Sequence, residues 1–288
     1  MRLSTQTGHS VARFGFEQAV TYLKEAGYDC LDFSLLEMWR DDSVYCGPDW
    51  KSVAQERRRF ADGLGVTFNQ SHAPFVFRWE DPTVRETVAH PRVRRSLEIA
   101  AIMGVPVVVV HPLHWMVYPG HEDEIHRQNV EYFRSLVPLA RDLGIAVAAE
   151  NMYQRDPATG RMIDDECADP AEFAALIDEV DSPYVTACLD LGHCAVVNRE
   201  AQDAIRVLGH DRLRALHVHD NRYGHDDHMI PGLGKRKWPA IMQALAEIDY
   251  TGDFTYEADL SLHNFEDEIM PDVYRFMVRR GRQLIAMT

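Results

Sequence analysis

The stretch that decides the fold is IHRQNVEYFRSLVPLARDLGIAVAAEN, at residues 125–151. In its first part, apolar side chains recur at spacings of three and four residues, at Val130, Phe133, Val137 and Ala140. That periodicity predicts an amphipathic helix over Ile125–Leu143. Gly144 stands where a helix C-terminal cap is expected, and the apolar run Ile145–Ala149 then predicts a buried strand. The stretch is therefore one helix followed by one strand, and the strand leads directly into a carboxylate, Glu150.

The same alternation of strand and helix runs through the rest of the chain, and no Ser/Gly-rich linker interrupts it. Eight apolar or β-branched runs predict strands, at Leu3–Thr7, Cys30–Leu35, Val66–Ser71, Val107–Val110, Ile145–Ala149, Val185–Leu189, Arg214–Val218 and Phe254–Tyr256. The polar residue just past the strand recurs at intervals of 39, 39 and 40 residues, at His72, His111, Glu150 and Asp190, and further steps of 27 and 40 residues lead to His217 and Glu257. A β-propeller blade has a similar period, but it needs four strands and contains no amphipathic helix. The sequence therefore predicts an α/β fold, a single (β/α)₈ TIM barrel over residues 1–288.

The composition disfavours several classes of protein. With 45 acidic against 30 basic residues, the net charge is −15, which argues against nucleic acid as a partner. The apolar runs fall far short of the roughly 20 residues that cross a bilayer, so we expect no membrane span. Met1–His9 lacks an apolar signal core, which favours a cytoplasmic location. The five cysteines are an odd number without C-x-x-C spacing, which predicts neither a disulfide framework nor a zinc knuckle.

Polar residues at the ends of the last four predicted strands form a candidate metal-ligand set. They are Glu150, Asp190, His217 and Glu257. In a TIM barrel the C-terminal ends of the strands surround the active site, so these side chains are expected to converge. Three carboxylates repel one another without a cation, and together with one imidazole they suit a divalent ion of intermediate hardness. We expect one such ion, with Mn²⁺ favoured and Mg²⁺, Co²⁺ or Zn²⁺ as alternatives.

Each of these residues also has a purely structural interpretation. An Asp after a strand often caps the next helix, which applies to Asp190 and Asp220. A buried His often bonds a backbone carbonyl. The metal hypothesis therefore depends on the four residues as a set.

Seven motifs extend this set over nearly the whole chain. They are His72-Ala73-Pro74-Phe75, Val110-His111-Pro112, Glu150-Asn151, Leu189-Asp190-x-x-His193, His217-Val218-His219-Asp220, the loop Asp226-Asp227-His228…Pro231-Gly232-Leu233-Gly234, and Glu257. In this pattern the chain resembles the xylose-isomerase-like TIM-barrel superfamily of sugar and sugar-phosphate isomerases and epimerases, to which endonuclease IV is related. The resemblance implies that the four candidate ligands bind one divalent ion and that Glu150 and Glu257 flank the substrate carbon. It is specific for the superfamily and does not name the substrate.

These residues predict a metal-dependent isomerase or epimerase of a sugar or sugar derivative. A divalent ion polarises a sugar carbonyl and acidifies the neighbouring C–H, so a carboxylate can remove the proton to give an enediolate. Glu150 and Glu257, three positions apart around an eight-strand ring, are expected to approach the sugar from different sides as the acid/base pair. Return of the proton to the opposite face gives epimerisation, and return to the adjacent carbon gives isomerisation. Both reactions stay open.

The relationship to endonuclease IV implies a competing function. Those relatives use nine ligands for three zinc ions, and candidates for the additional five are present: His72, His111, His193, Asp226 and His228. The negative charge and the lack of Lys/Arg clusters in the loops argue against a DNA-repair phosphodiesterase. The Asp-x-His…Pro-Gly-x-Gly loop, by the same resemblance, also occurs in single-metal sugar enzymes. A sugar-binding barrel without activity is a further alternative, disfavoured because both glutamates are present.

Six further residues are candidates for contacts with a small sugar substrate: His72, His111, Trp115, His193, Arg222 and His228. The guanidinium of Arg222 suits a forked contact with a hydroxyl or phosphate of the substrate. An exposed surface arginine without a substrate contact is nearly as good an interpretation. The aromatic loop at residues 114–119 and Trp39 fit either an enclosed sugar or a contact in a homo-oligomer. Phe75 and Phe77 are expected to pack within their loop. No Gly-rich phosphate cradle follows a strand, so a phosphorylated substrate is not specifically indicated.

Overall fold

The computed structural model describes residues 1–75 and 81–288. Within these ranges the strands are β1 (Leu3–Thr5), β2 (Leu31–Ser34), β3 (Phe68–His72), β4 (Val107–Val110), β5 (Ala146–Glu150), β6 (Tyr153–Arg155), β7 (Met162–Asp164), β8 (Val185–Asp190), β9 (Leu213–His217) and β10 (Phe254–Tyr256). The α-helices are α1 (Gly8–Phe14), α2 (Phe16–Ala26), α3 (Trp50–Gly63), α4 (Pro82–Val84), α5 (His90–Met103), α6 (Glu122–Leu143), α7 (Pro170–Val180), α8 (Leu191–Val196), α9 (Ala201–Arg212), α10 (Trp238–Glu247) and α11 (Met270–Ile285). A π-helical turn, Arg85–Ala89, joins α4 to α5, and 3₁₀ turns lie at Leu36–Trp39, Leu260–Asn264 and Asp267–Ile269. Among the described residues, every helix is too short or too polar to cross a membrane.

Eight parallel strands close into a barrel. Six of them pair in the order β2-β3-β4-β5-β8-β9, and β1 pairs with β10. Main-chain hydrogen bonds join the two sheets at both seams: Thr7 N donates to Asp32 O at 3.1 Å, and Val218 N donates to Thr255 O at 2.9 Å. The predicted (β/α)₈ TIM barrel is confirmed.

The pleat of the strands decides which side chains face the barrel interior. In β5, Val147 and Ala149 pack into the large core shared with the helices. Ala148, which lies between them, belongs instead to a separate small apolar cluster. The other members of that cluster are Val109 of β4, Cys188 of β8 and Ala215 of β9. Four polar residues lie two positions beyond the four members of that cluster and so share its face: His111, Glu150, Asp190 and His217. Strand alternation therefore turns these four side chains toward the barrel axis.

Most predicted elements are confirmed with small shifts at their ends. The predicted strands Val107–Val110 and Phe254–Tyr256 coincide with β4 and β10. Gly104 and Gly144 are left-handed C-terminal caps, with φ of 72° and 67°. α6 begins three residues before the predicted helix, because three acidic residues in its first turn favour the positive end of the helix dipole and carry no apolar signal.

The expectation that a polar residue lies just past its strand is wrong at three positions. His72, Glu150 and Asp190 are instead the last residues of β3, β5 and β8, and His217, predicted within its strand, is the last residue of β9. The backbone ladder continues through them, since Glu150 still pairs with Cys188, and Asp190 with His217. Ladder hydrogen bonds use main-chain groups and are indifferent to side-chain polarity, so the polar residue is no stop signal.

A hairpin that follows β5 was not predicted. β6 and β7 pair antiparallel, Tyr153 with Asp164 and Arg155 with Met162. Each strand has three residues, and neither shows the apolar alternation that predicts a strand. The hairpin matters because it brings Tyr153 over the C-terminal ends of the barrel strands.

Candidate active site

The four predicted metal ligands meet at the C-terminal mouth of the barrel. One donor atom from each of Glu150, Asp190, His217 and Glu257 lies within 4.8 Å of the others, and all four side chains are buried. His217 Nδ1 is 2.8 Å from Glu150 Oε1 and 3.1 Å from Glu257 Oε2. The structure therefore brings together a set that spans more than 100 residues of sequence.

Two more of the predicted histidines face Glu150. His72 Nε2 lies 3.3 Å and His111 Nε2 lies 3.1 Å from Glu150 Oε2. The His72 ring stacks on His217, with centroids 5.3 Å apart, and Phe75 stacks on His111 at 5.0 Å. Glu150 is therefore flanked closely by the imidazoles of His72, His111 and His217, with His193 Nδ1 farther away at 3.8 Å. The expectation that Phe75 merely packs within its loop is corrected, and Phe77 lies outside the described residues.

The pKa shifts show how strongly the buried charges depend on one another. Burial alone would raise the pKa of Glu150, but His217 and His111 lower it well below its ordinary value. Burial opposes the charged form of His217, yet Glu257 and Glu150 raise the pKa of His217 well above its ordinary value. Burial also raises the pKa of Glu257 and lowers the pKa of His111 to about 4. The charged form of Glu150 is thus favoured by the imidazoles held directly beside it.

A second cluster adjoins the first and contains three more predicted residues. His193, Asp226 and His228, together with His219, offer donor atoms within 4.8 Å of one another. His228 Nε2 is 3.2 Å from Asp226 Oδ2, and the His219 ring stacks on His228 with centroids 4.1 Å apart. His219 Nε2 also lies 3.0 Å from Asp190 Oδ1, so it links the two clusters.

Asp190 has a structural role as well as a place among the four candidate ligands. Its Oδ1 accepts a hydrogen bond from His193 N at 2.6 Å and caps α8, as the structural interpretation predicted. Asn151 holds the Asp190 backbone from both sides, because its Oδ1 accepts from Asp190 N at 2.7 Å and its Nδ2 donates to Asp190 O at 3.0 Å. Capping therefore fixes the orientation of the carboxylate at the end of β8.

Asp220 organises the loop that carries the second cluster. Its carboxylate accepts hydrogen bonds from Gly232 N at 2.7 Å, Arg236 N at 2.9 Å and Trp238 Nε1 at 2.9 Å. A Cβ at Gly234 would lie 2.3 Å from Asp220 Oδ1, so only glycine fits there. The helix-cap interpretation of Asp220 is therefore corrected, because it anchors a loop.

A cavity of about 410 Å³ opens above the two glutamates, within the usual size range of small-molecule sites. Its polar wall contains Gln6, His72, His111, His114, Glu150, Tyr153, His193, Asp226, His228, Glu257 and Asp259. Its apolar wall contains Leu36, Phe75, Met152 and Leu260. Larger depressions of about 980 and 730 Å³ lie elsewhere on the surface, but the clusters of metal-ligating donors in the described residues are at the smaller cavity.

The structure does not bring Trp115 or Arg222 to this cavity, among the residues it describes. Trp115 Nε1 donates to Gln128 Oε1 at 2.9 Å on α6, and the indole lines the separate depression of about 730 Å³. The Arg222 guanidinium makes a forked contact with Asp227, at 2.7 and 3.1 Å, and is largely exposed. Gln128 holds Trp115 away from the cavity, and Asp227 holds Arg222 away from it. A prediction based only on which residues follow a strand does not detect such partners.

Several residues beside the site were not among the predicted site residues, including Gln6, Asp32, Tyr153 and His219. Gln6 Nε2 donates to Glu257 Oε1 at 2.9 Å, and Asp32 Oδ2 lies 3.9 Å behind His217 Nε2. The third is Tyr153, whose hydroxyl donates to Asp226 Oδ2 at 2.9 Å. No local signal marks these three. The fourth, His219, had a signal, since it lies two residues after His217 and so on the same face of the chain.

A family model described as xylose isomerase-like TIM barrel matches residues 20–274. The chain belongs to this family. Membership in the xylose isomerase-like family agrees with the resemblance carried by the seven motifs.

Similar proteins include relatives in sequence and solved structures, and L-ribulose 3-epimerase and D-psicose 3-epimerase are among them. A protein of Sinorhizobium fredii is 25% identical over 173 residues, which cover 58% of this chain and 51% of that protein, so the chain spans about half the length of that relative. L-ribulose 3-epimerase of Methylomonas sp. is 25% identical over 251 residues, which cover 85% of this chain and 78% of that enzyme. A crystal structure of D-psicose 3-epimerase with D-tagatose from Clostridium cellulolyticum superposes with a TM-score of 0.75, at 15% identity over 99% of each chain. At that identity the superposition shows a shared fold.

Proposed function

We propose that this member of the xylose isomerase-like family is a divalent-metal-dependent epimerase of a small sugar or sugar derivative. The observation that carries the proposal is the convergence of Glu150, Asp190, His217 and Glu257 within 4.8 Å below a cavity of about 410 Å³. Likeness to L-ribulose 3-epimerase and D-psicose 3-epimerase supports epimerisation over isomerisation.

The donor set fits a divalent ion. Two carboxylates converge on one ring nitrogen of His217, and a cation among the same four donors satisfies them better than a single N–H. Mn²⁺ suits three carboxylates and one imidazole, and Mg²⁺, Co²⁺ and Zn²⁺ are the alternatives. When bound, such an ion supplies positive charge that acidifies the C–H beside a sugar carbonyl and stabilises the negative charge left on the sugar.

The two glutamates are the proposed acid/base pair. Glu150 ends β5 and Glu257 follows β10, with β8 and β9 between them, so their carboxylates enter the cavity from different sides. One glutamate removes the proton from the substrate carbon, and the C–H electron pair stays on the sugar. The other glutamate delivers a proton to the opposite face, which inverts the carbon, and the roles exchange in the reverse direction. Gln6 holds Glu257 by one oxygen and leaves the other facing His217.

The histidines that line the cavity are the proposed contacts to substrate oxygens. His72 and His111 flank Glu150, and His193 and His228 lie in the second cluster. His193 Nδ1 lies 2.8 Å from Asn151 O, which accepts its N–H and fixes the ring with Nε2 toward Asp226. Trp115 and Arg222 are dropped from the proposed site because they lie outside the cavity wall.

Product analysis and metal analysis together test this function. Free and phosphorylated pentoses and hexoses are incubated with the protein and Mn²⁺, Co²⁺ or Mg²⁺, and the epimers and isomers are separated. The metal content of protein purified without added metal is measured in parallel. Epimer formation with about one ion per chain supports the proposal, and isomer formation alone replaces epimerase with isomerase. No turnover of any sugar together with no restorable metal overturns it.

A trinuclear zinc phosphodiesterase is the second candidate, because the second cluster of His193, His219, Asp226 and His228 offers further donors. That function requires three zinc ions per chain and cleavage of abasic DNA. The net charge of −15 disfavours it, since a DNA backbone would be repelled. Cleavage of abasic DNA without sugar turnover would replace the epimerase proposal.

A further inference from the structure

A second, smaller cavity adjoins the active-site cavity. Its volume is about 150 Å³, roughly the volume that five water molecules occupy in the liquid. The two cavities share Gln6, Leu36 and Asp259 in their walls. We call the smaller one the distal cavity. It is bounded by the start of α1, the end of β2 and α3, and it opens to solvent beside Ala12 and Glu37.

The distal cavity presents a polar atom that has no partner within the described part of the chain. His9 Nε2 is buried and makes no hydrogen bond, although its ring packs edge-to-face on His263 with centroids 4.3 Å apart. Burial, and then His263, lower the pKa of His9, so its imidazole is neutral near pH 7. A buried polar atom of this kind is costly unless a hydroxyl or water meets it.

A guanidinium held by aromatic side chains also lines the distal cavity. The Arg57 guanidinium lies 5.0 Å from the Phe16 ring centroid and 4.9 Å from that of Tyr45, and its Nη1 donates to the Tyr45 hydroxyl at 2.6 Å. Glu37 Oε1 lies 4.0 Å from the same nitrogen. The aromatic contacts fix the orientation of Arg57 and leave further N–H donors for an occupant of the cavity.

The charges of the wall favour a neutral occupant over an anion. The wall contains two carboxylates, of Glu37 and Asp259, and one guanidinium, of Arg57, so its side chains together carry net negative charge. Glu37 lies beside Arg57, and Asp259 lies 3.5 Å from His228 Nδ1 of the active-site cavity. A phosphate or carboxylate would be attracted by Arg57 but repelled by both acids. The apolar part of the wall, formed by Val11, Phe16 and Phe33, suits C–H groups. Hydroxyl-bonding groups beside an apolar face match a sugar ring.

We propose that the distal cavity binds a neutral glycosyl group attached to the sugar that is epimerised, so that the substrate class is a glycosylated ketose or keto-sugar. This inference rests on the proposed function, because it names the substrate of the same site. The reacting sugar lies over the two glutamates, and its substituent extends past Gln6 and Asp259 to His9 and Arg57. A free monosaccharide leaves the distal cavity to water, and a sugar phosphate brings an anion toward Glu37.

Three ketoses with the same reacting end test the inference on the metal-loaded enzyme. They are D-fructose, 6-O-α-D-glucopyranosyl-D-fructose and D-fructose 6-phosphate, each assayed with Mn²⁺ for epimer formation. We expect kcat/KM to be about tenfold higher for the glucosylated ketose than for fructose, chiefly through a lower KM, and lowest for the phosphate. Turnover without a gain from the glucosyl group, or a preference for the phosphate, overturns the inference and leaves the epimerase proposal intact. Failure of all three, and of the wider panel of free sugars, overturns both.

The exposed acid Glu37 provides the matched variant. Glu37→Gln removes a negative charge beside Arg57 without touching the core, so the ratio of kcat/KM for the phosphate to that for fructose should rise severalfold. Glu25→Gln, the same change at an exposed residue of α2 outside both cavities, should leave that ratio unchanged. Equal behaviour of the two variants contradicts the assignment of the distal cavity.

Discussion

At the scale of single residues, the site depends on close approaches that only certain side chains permit. His219 lies against Gly192, where a Cβ would be 1.9 Å from His219 Cε1. Because Gly192 has no side chain, the His219 imidazole can approach Asp190, and its Nε2 lies 3.0 Å from Asp190 Oδ1. The same Asp190 carboxylate caps α8. The glycine in the motif Leu189-Asp190-Leu191-Gly192-His193 is therefore explained by sterics, since its φ is not in the left-handed region.

Gly192→Ala tests this contact. The added methyl group must displace the His219 ring, so we expect a loss of roughly 1–3 kcal/mol in the free energy of unfolding. We also expect weaker metal retention, because Asp190 loses its support. Gly63→Ala at the end of α3 is the control, since a Cβ there meets nothing within 4 Å and φ is ordinary. Urea unfolding and metal analysis of both variants decide, and equal stability of the two would show that the packing around His219 is loose.

Replacing each glutamate of the proposed acid/base pair separates proton transfer from metal binding. Glu150→Gln and Glu257→Gln each keep an oxygen but cannot carry the proton, so turnover should fall by ~10²–10⁴-fold while metal content falls less. In D₂O the wild-type enzyme should place solvent deuterium in the inverted product. A variant that lacks one of the two glutamates should at most exchange the substrate proton with solvent on one face of the carbon, without inverting it. Near wild-type turnover in both metal-loaded variants would refute the two-glutamate mechanism.

At the scale of elements, the loop between β9 and α10 is held as a unit by one buried carboxylate. Asp220 accepts hydrogen bonds from Gly232, Arg236 and Trp238, and the same loop carries Asp226 and His228. The hairpin β6–β7 closes over it through Tyr153. The second cluster is therefore positioned by loop architecture rather than by strand register.

Asp220→Asn is expected to loosen this loop. The amide brings an NH₂ group toward N–H donors and removes a buried charge, so the unfolding free energy should fall by about 2–3 kcal/mol. Asp227→Asn makes the same change in the same loop, but its partner Arg222 is exposed, so its cost should stay below about 1 kcal/mol. Chemical denaturation measures both, and hydrogen exchange of residues 221–237 should rise only in Asp220→Asn. Matching behaviour of the two variants would mean that the loop is held by other contacts.

At the scale of the whole molecule, the barrel is closed by its first and last strands. β1 pairs with β10, and α11 packs on α2 beyond that seam. We propose that residues 1–288 form a single domain, because the closure places the two ends of the chain in one structure. A single coincident unfolding transition by fluorescence and circular dichroism is the expected result. The oligomeric state stays a prediction.

An ion pair near this seam should give a small, pH-dependent contribution to stability. Arg282 makes a forked contact with Asp29 at 2.6 Å on both oxygens, and Leu3 N donates to Asp29 Oδ2 at 2.7 Å. Hydrogen bonding to Arg282, opposed by partial burial, lowers the pKa of Asp29 below its ordinary 3.8. Because the folded pKa is the lower one, the contribution is present above pH 4 and is lost as the pH falls through the lowered pKa.

Arg282→Ala should therefore cost about 0.2–1 kcal/mol at pH 7, an amount limited by solvent screening. The difference from wild type should shrink below pH 4 and at high salt. Arg275→Ala is the control, since it loses only a local pair with Asp272 within α11. Unfolding titrations from pH 7 to pH 3 test the sign, and a deficit that grows on acidification would contradict it.

The sequence by itself determined the barrel and the four convergent ligands. Both depend on local patterns: helix and strand periodicities, glycine caps, and polar residues at the ends of apolar runs. A TIM barrel brings the C-terminal ends of its strands together whatever the intervening sequence, so Glu150, Asp190, His217 and Glu257 were predictable without any knowledge of the loops. The strand bounds were less accurate, because ladder hydrogen bonds continue through polar residues such as Glu150.

The tertiary structure alone decided which other side chains reach the site. Gln6 meets Glu257 across 251 residues, and Tyr153 meets Asp226 across 73, so neither contact has a signal in its own segment. Arg222, which follows the motif closely, is instead turned outward by Asp227. The physical reason is that loop paths are set by hydrogen bonds and packing between distant segments. Side-chain direction at a strand end follows from the pleat, but side-chain direction in a loop follows from the partners that the fold supplies.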